Sequence, residues 1–120
     1  MKIVAIDNEE MILKLWKRLF EKAGIDIVLF QHLRDVPAFL EYNDARLIVI
    51  GRVHEHENPT GWVRGMIPRG IPMVVVTAIQ ESKDALMEAG CIAWSEKLDV
   101  IKLVRQLEAE GKLAPADNQE

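Results

Sequence analysis

Two carboxylates separated by one residue, Asp7 and Glu9, carry hard oxygens of the kind that hold Mg²⁺. That ion takes one or two carboxylates and keeps several waters. Thr77 offers a hydroxyl that can donate to an oxyanion, and Lys97 an ammonium that can neutralise one as a point charge. Together these residue types suit the binding of a phosphoryl group. A plainer reading of Asp7-Asn8-Glu9 is that the cluster caps the helix after it, since short polar side chains satisfy the free N–H groups of a first turn. What separates the two readings is whether these residues end strands that share one crevice.

The carrying elements follow from the apolar pattern. Lys2–Ile6 is a β-branched run closed by the polar cluster. Apolar residues then recur at Ile12, Leu15, Trp16, Leu19 and Phe20, the stripe of an amphipathic helix, which Gly24 stops. Ile25–Phe30 reads as a second strand and Leu33–Tyr42 as a second helix, with Pro37 tolerable only in its first turn. Arg46–Ile50 contains four consecutive apolar residues, as in a strand covered on both faces. The polar stretch Arg52–Gly61 leads to a weak third helix around Trp62–Met66, ended by Pro68 and Gly70. Met73–Val76 is another doubly buried strand, stopping at Thr77-Ala78. Ser82–Ala89 makes a fourth helix capped by Gly90, and Cys91–Trp94 a fifth, less apolar edge strand. Val100, Ile101, Leu103, Val104 and Leu107 mark a last helix that ends near Gly111.

Five β-α units predict an α/β fold: a single-domain, flavodoxin-like three-layer α/β/α sandwich around a five-stranded parallel sheet in the order 2-1-3-4-5. Ligands in such sheets sit beyond the carboxyl ends of the strands, at the switch point between strands 1 and 3. The strand ends Asp7-Asn8-Glu9, Gly51-Arg52, Thr77-Ala78 and Ser95-Glu96-Lys97 then face one crevice, which favours the phosphoryl-binding reading over a cap alone.

Composition bounds the rest. The chain has 120 residues, 49% apolar and 28% charged, the profile of one soluble globular domain. Fifteen Lys and Arg against 19 Asp and Glu, a net charge of −4, leave no basic footprint for nucleic acid. No apolar run approaches a membrane span and no signal peptide is visible, so a cytoplasmic protein is expected. The single cysteine, Cys91, excludes an internal disulfide and reads as a small hydrophobe that begins the fifth strand. His54-Glu55-His56-Glu57 invites a metal reading but lacks a third ligand at known spacing, so a solvated loop is expected. Lys14, Lys17 and Arg18 read as the wet face of the first helix, Trp16 as core and Trp62 as half exposed.

Over about Met1–Leu107 the sequence resembles the receiver domain of two-component response regulators. The resemblance rests on Ile6-Asp7-Asn8-Glu9 after the first strand and on Val75-Val76-Thr77-Ala78 with its switch hydroxyl. It rests also on Glu88-Ala89-Gly90 and on Lys97, seven residues after Gly90. Trp94 takes the family's aromatic switch position. The departures are as informative. The resemblance puts Gly51, followed by Arg52, where the family has its acceptor aspartate, and glycine has no nucleophile. Asn8 replaces a carboxylate, and Leu98 the proline after the lysine. A degenerate receiver is implied, its pocket made of Asp7, Asn8, Glu9, Gly51, Arg52, Thr77 and Lys97. Mg²⁺ binding through Asp7 and Glu9 is expected to be weak or absent, with Lys97 or Arg52 pairing directly with those carboxylates.

The expected function is that of a signalling domain, not an enzyme, acting by phosphorylation-independent protein–protein interaction. The resemblance implies a kinase, effector or second copy docking on the face formed by helix 4, strand 5 and helix 5, with Trp94 in it and a homodimer as one form. No direct nucleic-acid or membrane partner is expected. Two alternatives stay open: a phosphorylatable receiver using Asp7 or Glu9 as acceptor, and a small-ligand sensor in which Gly51 opens space in the crevice. Residues 1–111 form the receiver-like domain and 112–120 a flexible tail or linker stub in this reading.

Overall fold

The computed structural model describes residues 2–115. Strands β1 (Lys2–Ile6), β2 (Asp26–Phe30), β3 (Leu47–Ile50), β4 (Met73–Val76) and β5 (Ala93–Ser95) form one parallel sheet. Their order, β2-β1-β3-β4-β5, is the one expected. The helices are α1 (Glu10–Lys22), α2 (Val36–Leu40), α3 (Pro59–Met66), α4 (Gln80–Ala89) and α5 (Val100–Ala109). Alternation along the strands divides the core. Val4, Ile6, Ile48, Ile50 and Val75 pack with Val36, Val63 and Leu86 of α2, α3 and α4. Ile3, Ala5, Val49, Val74 and Val76 pack with Trp16 and Phe20 of α1 and Val100 and Val104 of α5. Each central strand is buried on both faces, which is why Leu47–Ile50 and Met73–Val76 carry no polar residue.

Four local features differ from expectation, each for a physical reason. Cys91 does not begin a strand. Its N–H donates to Leu86 O and closes α4, and β5 starts at Ala93, opposite Val74. The second helix is shorter than Leu33–Tyr42: a 3₁₀ turn at Leu33–Asp35 precedes α2, and Pro37 stands in its first turn. The third helix is longer, because Asn58 caps it. Its Oδ1 accepts from Gly61 N at 3.1 Å and from Thr60 Oγ1 at 2.9 Å, and Pro59 opens the first turn without an N–H to satisfy. Finally, the Asp7-Asn8-Glu9 cluster does not cap α1 as expected: Glu9 is the N-cap residue and its side chain makes no capping bond.

The segment after α5 is tied down where it begins. Ala114 N donates to Arg46 O at 3.0 Å, and Arg46 Nε donates back to Ala114 O at 2.6 Å. The remainder of the expected tail lies outside the described residues. Among the described residues no helix is long and apolar enough to cross a membrane.

Candidate functional site

Parallel pairing brings the ends of β1 and β3 level, with Ile6 beside Ile50. Gly51 N donates to Ile6 O at 2.8 Å and Asn8 N to Arg52 O at 2.7 Å, so the loops after the two strands are stitched together. Asp7 N is held by Phe30 O on the other side. This backbone leaves the Asp7 side chain no route to solvent, and it is fully buried.

A buried carboxylate needs partners, and Asp7 has three. Its Oδ1 accepts from Glu9 N at 2.8 Å. Its Oδ2 accepts from Arg52 N at 3.0 Å and pairs with Lys97 Nζ at 2.9 Å. Lys97 also reaches Glu9 Oε1 at 3.3 Å, whereas Arg52 Nη1 stands 3.9 Å from Glu9 Oε2 with its side chain 65% exposed. Lys97 is therefore the cation of the inner site and Arg52 a peripheral one. Of the cluster's two carboxylates, only Glu9 faces water, with its side chain 48% exposed.

Gly51 is buried, and the room beside it is taken. A Cβ built there would overlap Asp7 Oδ2 and stand 2.9 Å from Trp16 Cη2. The direction a Gly51 side chain would take is held by the Asp7 carboxylate and the Trp16 ring, while the glycine also borders an open cleft. Trp16 is a site residue that sequence reasoning assigned only to the core. Its indole Nε1 donates to Lys97 O at 3.2 Å, which fixes the backbone of the lysine that answers Asp7. A buried indole requires an acceptor, and that requirement was the one available signal.

Asn8 lies beside the pair without joining it. Its Nδ2 donates to Val53 O at 3.4 Å, while its buried Oδ1 has no partner among the described residues. Thr77 follows β4 and holds the turn that leads to α4 through Oγ1, which accepts from Ile79 N at 3.1 Å. The Thr77 carbonyl accepts from Trp94 Nε1 at 2.8 Å, and Lys83 Nζ lies 4.1 Å above the Trp94 ring. Thr77, Gly51, Arg52, Lys97 and Glu9 line one cleft, whereas Trp94 is turned to the back of the Thr77 strand end.

The other sequence candidates separate. His54 stacks on His32, with ring centroids 4.4 Å apart and planes 11° apart, and Glu57 Oε2 accepts from Arg34 N at 3.3 Å. His56 is exposed, and among the described residues no three His, Cys, Asp or Glu side chains are arranged to hold a metal ion. The loop is therefore partly packed, not simply solvated. Burial pushes the Cys91 thiol up to about 12, which leaves it un-ionised and inert at neutral pH.

No protein-family model matches the chain, and no curated protein matches it either. Solved structures do resemble it. A Francisella response regulator receiver domain superposes with a TM-score of 0.77 at 18% identity, covering 92% of this chain and 98% of that one. A two-component response regulator from Clostridium difficile gives 0.77 at 20% identity over 91% and 93%. The chemotaxis response regulator CheY4 of Vibrio cholerae gives 0.74 at 14% identity over 88% and 97%. At such identities the likeness establishes the fold, a CheY-like α/β sandwich, and leaves function to the site.

Proposed function

We propose that this chain is an atypical receiver-like signalling domain of the two-component type, working by protein–protein contact without aspartyl phosphorylation. The observation that carries the reading is the placement of Asp7. Its carboxylate fills the room beside Gly51, at the position where the resembled receivers hold their acceptor, and it is fixed there by Lys97 and two backbone N–H groups. A carboxylate with three donors is a poor nucleophile, and Gly51 supplies none.

The same bonds bear on Mg²⁺. The residues present do not fit that ion: both Asp7 oxygens are committed to donors, Asn8 is neutral, and Glu9 alone is open to water. Mg²⁺ binding is therefore weak or absent. The partner in this reading is a protein, a kinase, an effector or a second copy, meeting the α4–β5–α5 face. Trp94 stands there with Lys83 over its ring. With its N–H tied to Thr77 O, Trp94 serves as a fixed anchor instead of a moving switch.

Intact-mass measurement after incubation with acetyl phosphate and Mg²⁺ tests the reading. The native chain is expected to gain no phosphoryl mass. A native chain that gains it, with the label lost on Asp7→Asn or Glu9→Gln, would overturn the proposal in favour of a non-standard acceptor.

A further inference from the structure

Beside the filled space at Gly51 lies an open one. A cleft of about 520 Å³ runs between the β3–α3 loop and the first turns of α4. Its volume lies within the roughly 300–1,000 Å³ usual for small-molecule sites. We infer that this cleft binds a small, uncharged, largely apolar molecule that carries one hydrogen-bond acceptor, with Thr77 as the donor. Val53, Val75, Ile79, Ala85 and Leu86 supply the apolar walls. Ile79, which precedes α4, is 57% exposed and extends the apolar wall at the cleft's mouth.

The polar groups restrict the ligand further. Thr77 Oγ1 spends a lone pair on Ile79 N, and its proton has no acceptor among the described residues. Thr77 lines the cleft and is only 7% exposed, so its spare proton is the donor assigned to a ligand there. The charges argue against an ionic ligand. Lys97 and Arg52 are set against Asp7 and Glu9 and balance them, and Glu81 on the lining adds one uncompensated negative charge. An anion would meet that surplus. A cation would find Asp7 answered by Lys97 and Glu9 set between Lys97 and Arg52, with only the exposed Glu81 outside an ion pair among the described residues. An uncharged body pays neither cost.

Prodan, an uncharged naphthyl ketone whose carbonyl is a hydrogen-bond acceptor and whose fluorescence shifts to the blue in apolar surroundings, is the probe. Its partner is anilinonaphthalenesulfonate, a naphthalene carrying a sulfonate. Titrated against the whole chain, the ketone is expected to saturate at one site, and the sulfonate to bind at least about tenfold more weakly. Ala85→Trp, which fills the cleft from α4, should weaken the ketone by about tenfold or more. Ser82→Phe, from the lip of the same helix, does the same if Ala85→Trp fails to fold, as judged by circular dichroism. Non-saturating enhancement, an affinity unchanged in the folded variant, or equal binding of the sulfonate would each overturn the inference.

Discussion

The two sides of the crevice use their polar groups in opposite ways. Beside β1 and β3, the charged groups near Gly51 are answered inside the protein: Asp7 by Lys97, Glu9 N and Arg52 N, and the Lys97 carbonyl by Trp16 Nε1. Beside β4, Thr77 holds its own turn and leaves a proton to spare, and the walls around it are aliphatic and open. The difference shows how neighbouring side chains decide whether room at a strand end is filled. Where long neighbours stand within reach, as Asp7 and Trp16 do at Gly51, the protein fills the space itself. Where the neighbours are shorter, as along Val75 and Ala85, the space stays open.

The largest effect should come from removing the cation of the closed side. Lys97→Met leaves the Asp7 charge buried without a counter-ion, and a loss of about 3 kcal/mol is expected in urea unfolding. A loss no larger than a surface substitution would erase the contrast between the two sides. Next comes the glycine itself. Gly51→Ala forces a methyl into Asp7 and Trp16 and should cost about 2 kcal/mol. Gly65→Ala, on α3 with no neighbour within 4 Å of the added carbon, should instead gain about 0.5–1 kcal/mol. Thermal melts of the pair sharpen the comparison, because only one of these glycines borders a filled space.

On the open side, Trp94→Phe deletes the bond to Thr77 O and is expected to cost about 1 kcal/mol, measured in the same urea series. It should also loosen the β4–α4 turn, visible as faster amide exchange at Ile79. A last effect is confined to alkaline pH and leaves stability at neutral pH unchanged. The Cys91 thiol is raised from 9.0 to about 12 in the fold, so the folded state holds its proton more tightly than the unfolded chain does. Its contribution is complete below pH 9.0 and is lost as pH rises toward about 12. Cys91→Ala should flatten the decline of unfolding free energy over that window, and an unchanged slope would contradict the assignment.

Much of this was legible because burial writes itself into local pattern. Leu47–Ile50 and Met73–Val76 are buried on both faces and read so, and the α1 stripe placed Trp16 in the core. The α3 boundary was missed because the signal there is a cap, Asn58-Pro59, and not an apolar period. Cys91 was misplaced because a helix stop and a strand start look alike when both are short and apolar. The inner site was legible in its members and not in its arrangement. Gly51 leaves room for a neighbour without telling which one takes it, and Trp16 meets the Lys97 carbonyl across 81 positions of sequence. Such pairings are set by the register of β1 and β3 and by the α1 packing, which no local window contains.

The central claim is that Lys97 holds Asp7 in the room beside Gly51, and a double-mutant cycle with Asp7→Asn and Lys97→Met, run in Mg²⁺-containing buffer, tests it most directly. A favourable coupling of about 2 kcal/mol or more, the same with and without Mg²⁺, is the predicted result. A coupling near zero, or one that Mg²⁺ abolishes while stabilising the native chain, would contradict the account and mark the pocket as open to the metal.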